Sequence, residues 1–241
     1  MKKAATMTLE ELGAYIDQSV LKPEFSQAEI RKYIKEGIDF KCRTVCINPS
    51  SLTIAKEMTA GTGTGVCVVC DFPFGVSTTA SKCLQAESYC QQGCDELDVV
   101  ANYGWIKSGL WVEVEADIRA VVDVCHRYDT LVKVILETDA LTEAEIKKSV
   151  EAAITAGTDF VKTSTGFFTG GKSEGASLTV AAIMLEAVKG RCKVKGSGGI
   201  RTREHFLQLI DMGIDRMGVG YKSTSVVLGH SIADLKSKEV Y

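Results

Sequence analysis

The stretch Phe160-Val161-Lys162-Thr163-Ser164-Thr165-Gly166 carries a lysine at the end of a short apolar run, followed by three small hydroxyl residues and a glycine. Lysine is among the residues least often fully buried. At the C-terminal end of an inner strand it is either ion-paired or a nucleophile whose ammonium form the surroundings disfavour. A second lysine sits in a similar place, in Val194-Lys195-Gly196-Ser197-Gly198-Gly199.

Working outward, the chain alternates short β-branched runs with amphipathic stretches. Strands are predicted to begin near Tyr15, Thr44, Gly65, Glu96, Leu131, Asp159, Cys192 and Asp215. These runs show little polar alternation, as expected of parallel strands covered on both faces. Helices are predicted over 27–36, 51–58, 80–92, 112–127, 143–156, 178–188, 203–212 and 223–236. In the 143–156 segment, Ile146, Val150, Ala153 and Ile154 share one face. Thr142 and Glu145 form a capping-box pattern and Gly157 a helix stop. Eight strands alternating with eight helices point to α/β architecture as a (β/α)₈ TIM barrel, with 1–241 as a single domain.

Composition agrees. The 241 residues suit one barrel, and 45% hydrophobic with 24% charged residues is an ordinary globular balance. A net charge of −3 gives no reason to expect a nucleic-acid partner or an anionic membrane. No run of 18 apolar residues is present, and Glu10 and Glu11 follow the N-terminal lysines too soon for an export signal. Nine cysteines without such a signal are expected to be reduced thiols in a cytoplasmic protein.

A barrel gathers its reactive groups at the C-terminal ends of its strands. Those positions hold Asp17, Gln18, Ser19 and Lys22; Cys46 and Asn48; Asp71; Asp98; Glu137; Lys162; Lys195; and the loop Gly218-Val219-Gly220-Tyr221-Lys222. A free lysine titrates near about 10.4, and an amine nucleophile works best near roughly 7–8. A neighbouring ammonium and burial both act in that direction. Lys162 and Lys195 on adjacent strands, with Asp98 to relay protons, therefore suit Schiff-base chemistry on a carbonyl; separate interior ion pairs are the bland alternative. The glycines of Gly198-Gly199-Ile200-Arg201 and Gly218-Val219-Gly220 fall where barrels often hold phosphate, although turn glycines look the same.

Several segments, in order, make the chain resemble the class I deoxyribose-phosphate aldolases from about Tyr15 to Gly229. They are Ile16-Asp17-Gln18-Ser19-Val20-Leu21-Lys22-Pro23, Val45-Cys46-Ile47-Asn48-Pro49, Phe72-Pro73-Phe74-Gly75 with Thr78-Thr79, Asp95-Glu96-Leu97-Asp98-Val99-Val100, Lys107-Ser108-Gly109, Lys133-Val134-Ile135-Leu136-Glu137-Thr138, Phe160 to Gly166, and Gly198-Gly199-Ile200-Arg201-Thr202. The resemblance implies reversible cleavage of 2-deoxy-D-ribose 5-phosphate to acetaldehyde and glyceraldehyde 3-phosphate, without metal or other cofactor. It implies Lys162 as the Schiff-base lysine, Lys195 as the group that lowers its pKa, and Asp98 as proton relay. Gly166, Gly198, Gly199, Arg201 and Gly218 are implied around the phosphate. With them we count Ser19, Lys22, Cys46, Thr163, Gly220 and Lys222 as expected substrate contacts.

The chain departs from the pattern at Gln18, at Asp71, in a longer loop after Gly171, and at Gly220-Tyr221-Lys222, where small hydroxyl residues are usual. Two alternatives follow: an aldolase for a different or non-phosphorylated sugar, and a sugar-phosphate-binding barrel without catalysis. The segment from Gly166 to Ser173 matches a P-loop pattern, but a P-loop needs its Lys-Ser to open a helix, and Glu174-Gly175 follow here. Cys67 and Cys70, three apart on a strand, face opposite sides and cannot share a metal. Cys46 could be a reactive thiol, Tyr241 could fold over the mouth, and a homodimer is the default assembly.

Overall fold

The computed structural model describes residues 2–238, the side chains of 236–238 excepted. Its strands are β1 (Ile16–Val20), β2 (Thr44–Ile47), β3 (Gly65–Cys70), β4 (Glu96–Val100), β5 (Leu131–Ile135), β6 (Phe160–Lys162), β7 (Lys193–Ser197) and β8 (Arg216–Gly220). They pair in parallel in sequence order, and β8 returns to β1 through Asp17↔Gly218, closing the barrel. The helices are α1 (Leu9–Gly13), α2 (Gln27–Asp39), α3 (Leu52–Thr59), α4 (Thr79–Gln91), α5 (Tyr103–Lys107), α6 (Trp111–His126), α7 (Glu143–Thr155), α8 (Leu178–Val188), α9 (Arg203–Met212), α10 (Thr224–Leu228) and α11 (Ile232–Lys238). Among the described residues no helix is long and apolar enough to cross a membrane. All nine cysteines are free.

Local signals explain most boundaries. Thr142 accepts from the Glu145 amide while Glu145 accepts from the Thr142 amide, so the predicted capping box forms. Gly157 takes φ 89° directly after Ala156, the C-cap of α7. One helix expectation is corrected. The segment 223–236 is two helices, because Gly229 adopts φ 69° and stops α10 after a single turn or so. The short α1 and α5 are additions to the predicted set, too brief for a period to show. Tyr241 lies outside the described residues.

Strand alternation divides the interior in two. Outward residues such as Val45, Val68, Leu97, Val134, Val161, Val194 and Val219 pack against the helices in one continuous core. Inward residues form a much smaller apolar cluster, Leu21, Cys46, Cys67 and Val69. Much of the remaining inner space holds charged side chains: Asp17, Glu96, Asp98, Lys133, Lys162, Lys195 and Arg216, all buried.

A second buried charge cluster lies outside the barrel. Lys82 of α4 donates to Asp117 of α6 at 2.7 Å and to the Val100 carbonyl at 3.1 Å, with Asp71 3.7 Å away. Asp71 itself has φ 49° and accepts from the Ser77 amide and hydroxyl at 2.9 and 2.7 Å. Its carboxylate therefore clips the 72–77 turn to the barrel flank. Asp71, expected among the reactive groups at the strand ends, is thus not part of the cavity lining. Lys82→Met leaves Asp117 buried without its cation, which costs about 3–5 kcal/mol. Urea unfolding of the variant against the parent measures this, and an unchanged midpoint would refute a stabilising Lys82–Asp117 pair.

Candidate active site

The inward residues of β4, β6 and β7 converge on one carboxylate. Lys162 and Lys195 are register partners on adjacent strands. Both donate to Asp98 Oδ2, each at 2.7 Å. Asp98 Oδ1 accepts from Lys133 at 2.9 Å and from the Cys67 thiol at 3.1 Å. Lys195 also meets Asp17 Oδ2 at 2.5 Å. Below them, Lys133 meets Glu96 at 2.6 Å, and Arg216 meets Asp17 at 2.6 Å and Glu96 at 3.0 Å. Gly218 leaves room for this: a Cβ there would stand 3.0 Å from the Ser197 Cβ and 3.5 Å from Lys195 Cε.

The cluster fixes charge states. Although burial alone favours neutral carboxyls, the ammonium groups of Lys133, Lys162 and Lys195 hold Asp98 well below the usual carboxylate range. Lys195, Lys133 and Arg216 do the same to Asp17. Burial works to lower the Lys195 pKa, yet Asp17 and Asp98 outweigh it and raise it, so Lys195 is a firm cation. Lys133 is raised in the same way, chiefly by Asp98. Cys67 is held as a thiol by burial, whereas Cys46 is lowered, chiefly by its hydrogen bond with Cys67.

Lys162 alone of these lysines reaches a cavity of about 390 Å³ at the C-terminal end of the barrel. Of the expected substrate contacts, Ser19, Lys22, Gly166, Gly198, Gly199, Arg201, Gly218, Gly220 and Lys222 line this cavity. Leu21, Thr165, Phe167, Ser197, Ile200, Tyr221 and Ser223 complete it. Larger hollows of about 530 and 550 Å³ open at the strand N-termini, away from the lysines.

Two expected contacts stand elsewhere. The Thr163 hydroxyl donates to the Ser197 carbonyl at 2.8 Å and accepts from the Ser197 amide at 2.9 Å. It is a strut between β6 and β7 and does not face the cavity. Cys46 is inward but buried beneath the cavity, in the apolar cluster against which Phe72 and Phe167 pack. Gln18, the departure in the first motif, points outward and donates to the Tyr33 carbonyl. It therefore does not touch the centre.

Sequence reasoning passed over Lys133, Glu96 and Arg216 as members of the site. The available signal was an ionisable residue inside an apolar strand on the same parity as Asp98 or Lys195. Glu137, expected among the strand-end groups, has a left-handed backbone at φ 57°. Its carboxylate accepts from the Thr165 hydroxyl and amide, and burial pushes its pKa up. Next to it, Asp139 accepts from the Glu174 and Gly175 amides at 2.7 and 2.9 Å, so this turn grips both ends of the loop 165–175. That loop is not helical, and the next helix begins at Leu178, so the P-loop pattern at Gly166 has no helix to open.

Among the described residues one group, Cys46, Cys67 and Asp98, brings ligand atoms within 4.8 Å of one another. The donor set does not suit a metal ion. Both Asp98 oxygens already accept from ammonium groups, whose positive charge opposes a cation at the same point.

These features define a class: a parallel eight-stranded barrel with an amine-bearing centre at the C-terminal ends of its strands. Residues 13–228 match the DeoC/LacD family aldolase description, and the chain belongs to that family. It is 41% identical over 209 residues to the deoxyribose-phosphate aldolase of Mannheimia succiniciproducens, covering 87% of this chain and 91% of that one. It is 42% identical over 208 residues to the deoxyribose-phosphate aldolase of Streptococcus mutans, covering 86% and 92%. A solved aldolase, QR15, superposes with a TM-score of 0.83 at 35% identity, covering 90% and 94%.

The depressed carboxylates give a pH prediction. Asp17 and Asp98 contribute stability that is complete above their unfolded pKa of about 3.9. It is lost as pH falls below that value towards their folded ones. Asp17→Asn is therefore expected to be less stable at neutral pH yet to lose less stability between about pH 5 and pH 3. Denaturant unfolding across that range tests it; an equally steep loss in both proteins would contradict the linkage.

Proposed function

We propose that the protein is a class I aldolase that reversibly cleaves 2-deoxy-D-ribose 5-phosphate to acetaldehyde and D-glyceraldehyde 3-phosphate. The observation that carries this is Lys162 at the cavity floor, with its amine on a carboxylate that two other lysines share. The neutral amine of Lys162 attacks C1 of the open-chain sugar and, with loss of water, forms an imine. The electron-withdrawing imine then draws the C2–C3 bond electrons into an enamine as the C3 hydroxyl loses its proton. Glyceraldehyde 3-phosphate leaves, C2 takes a proton, and water hydrolyses the imine to free acetaldehyde and Lys162. Lys195, a firm cation beside Lys162, is a proton donor. Asp98, a firm carboxylate, orders both lysines and accepts protons in transit. Every step runs on side chains of this chain.

The substrate phosphate is assigned to the part of the cavity that Lys22, Arg201, Lys222 and the Gly198-Gly199 turn line. Among the described residues none of these three cations forms an ion pair. Lys222 Nζ lies 5.7 Å from the Tyr221 ring centre, which braces it, and Tyr221 packs on Tyr33 at 4.1 Å and Phe25 at 5.1 Å. Point charges would thus do the work given to small hydroxyl residues in the family pattern. A second reading, a non-phosphorylated sugar, is favoured only by Gly220-Tyr221, since Asp71 faces away from the cavity. We place the enzyme in the cytoplasm, acting as a homodimer on small aldehydes and sugar phosphates without a cofactor.

Acetaldehyde with borohydride is expected to add a two-carbon group to Lys162, located by peptide mass mapping, and Lys162→Leu to abolish turnover in a folded protein. An adduct only at another residue would sink the assignment. Lys222→Ala is expected to raise KM for the 5-phosphate about tenfold, equal to about 1.4 kcal/mol, and to leave kcat/KM for unphosphorylated deoxyribose unchanged. Steady-state assays on both sugars decide this, and a parent enzyme that prefers unphosphorylated deoxyribose would establish the second reading.

A further inference from the structure

Beneath Lys162 the charges lie in alternating layers. Lys162 rests on Asp98, Asp98 on Lys195 and Lys133, and these on Asp17 and Glu96; Arg216 closes the ladder. The ring of Phe160 lies against the lower end, 5.5 Å from the Arg216 guanidinium carbon. Four cations thus face three carboxylates, a surplus of one positive charge in a region that solvent and salt screen poorly. Loss of one proton brings the ladder to neutrality. Lys133 meets three carboxylates and Lys195 meets two, whereas Lys162 meets only Asp98. Deprotonation at Lys162 therefore breaks the fewest ion pairs, and it is the lysine that reaches the cavity.

We propose that Glu96 and Arg216, a buried pair on the barrel floor outside the substrate cavity, govern how readily Lys162 gives up its proton by setting the net charge of this ladder. They are positioning residues acting through Asp17, Lys133 and Asp98. The inference rests on Lys162 being the imine-forming amine. The other ionisable groups facing Lys162 are the thiols of Cys46 and Cys67, from β2 and β3, and Glu137 after β5. At the mouth stand Lys22, Arg201 and Lys222. All of these stay in place when the floor pair is changed, so they drop out of the comparison.

The sign is definite. Lys162 must be unprotonated to attack, and positive charge nearby disfavours its ammonium form. Glu96→Gln raises the surplus and is expected to move the acid limb of imine formation to lower pH. Arg216→Met removes the surplus and is expected to move it to higher pH. Each shift is on the order of one pH unit, the scale of one charge at an effective dielectric of about 20. Arg216→Lys is expected to keep the parent profile, and the Glu96→Gln/Arg216→Met double variant to return towards it.

The measurement is the initial rate of cyanoborohydride-trapped acetaldehyde adduct on the full chain, against pH at fixed ionic strength. A merely structural role lowers the rates without opposite displacements. Shifts of the same sign in the two single variants, or none in either, overturn the proposal. If Arg216→Met does not fold, Glu96→Gln and Arg216→Lys decide it: an acid shift in the first with the parent profile in the second supports the proposal, and any other combination overturns it. Failure of the parent protein to form an adduct at Lys162 at any pH refutes the imine reading instead, and so is told apart from failure of the charge argument.

Discussion

Asp98 is the constraint on which the rest of the interior depends. One fully buried carboxylate receives three ammonium groups from three different strands. A charge taken out of water is tolerable only where opposite charge and hydrogen bonds surround it. Placing Lys162 against Asp98 therefore obliges the barrel to supply Asp17, Glu96 and Arg216 as well, because Lys133 and Lys195 need partners of their own. The small apolar cluster of Leu21, Cys46, Cys67 and Val69 on one side is what remains of an ordinary barrel filling. The outer core between sheet and helices carries the hydrophobic stabilisation instead.

In the proposed reaction, chemistry and recognition come from different parts of the chain. The lysines and carboxylates sit on strands, where parallel pairing on both sides fixes each Cα. The cations that face the outer cavity, Lys22, Arg201 and Lys222, sit on loops. Departures from the family pattern follow this division. Gln18 and Asp71 are turned away from the centre, onto α2 and the barrel flank, while Gly220-Tyr221-Lys222 alters only the cavity's outer wall.

Much of the fold was legible because parallel strands buried on both faces read as short β-branched runs, and because Thr142 and Gly157 mark helix ends by local chemistry. Lys162, Lys195 and Asp98 were legible because an ionisable residue in such a run is conspicuous. The ladder beneath them was not. Lys133, Glu96 and Arg216 become one object only once register and barrel closure bring β4, β5 and β8 together, and no single segment contains that information. Side-chain direction was the other gap. Thr163 and Asp71 occupy positions at the strand ends where substrate contacts are expected, but one is turned into a strut and the other into a clip. Gly229 divided the last predicted helix because apolar spacing continues across a residue whose backbone does not.

The strand that presents Lys162 is only three residues long. Beyond it the backbone is held by hydroxyls: Thr163 to the Ser197 backbone, Ser164 to Thr138, Thr165 to Glu137. The position of the amine is thus set by exchangeable side chains as much as by the sheet. Replacing a serine with a threonine there, or a threonine with a valine, offers a descendant of this protein a way to retune reach and angle of the amine while the eight-stranded frame stays as it is. The site's capacity to diversify is located in a few oxygen atoms.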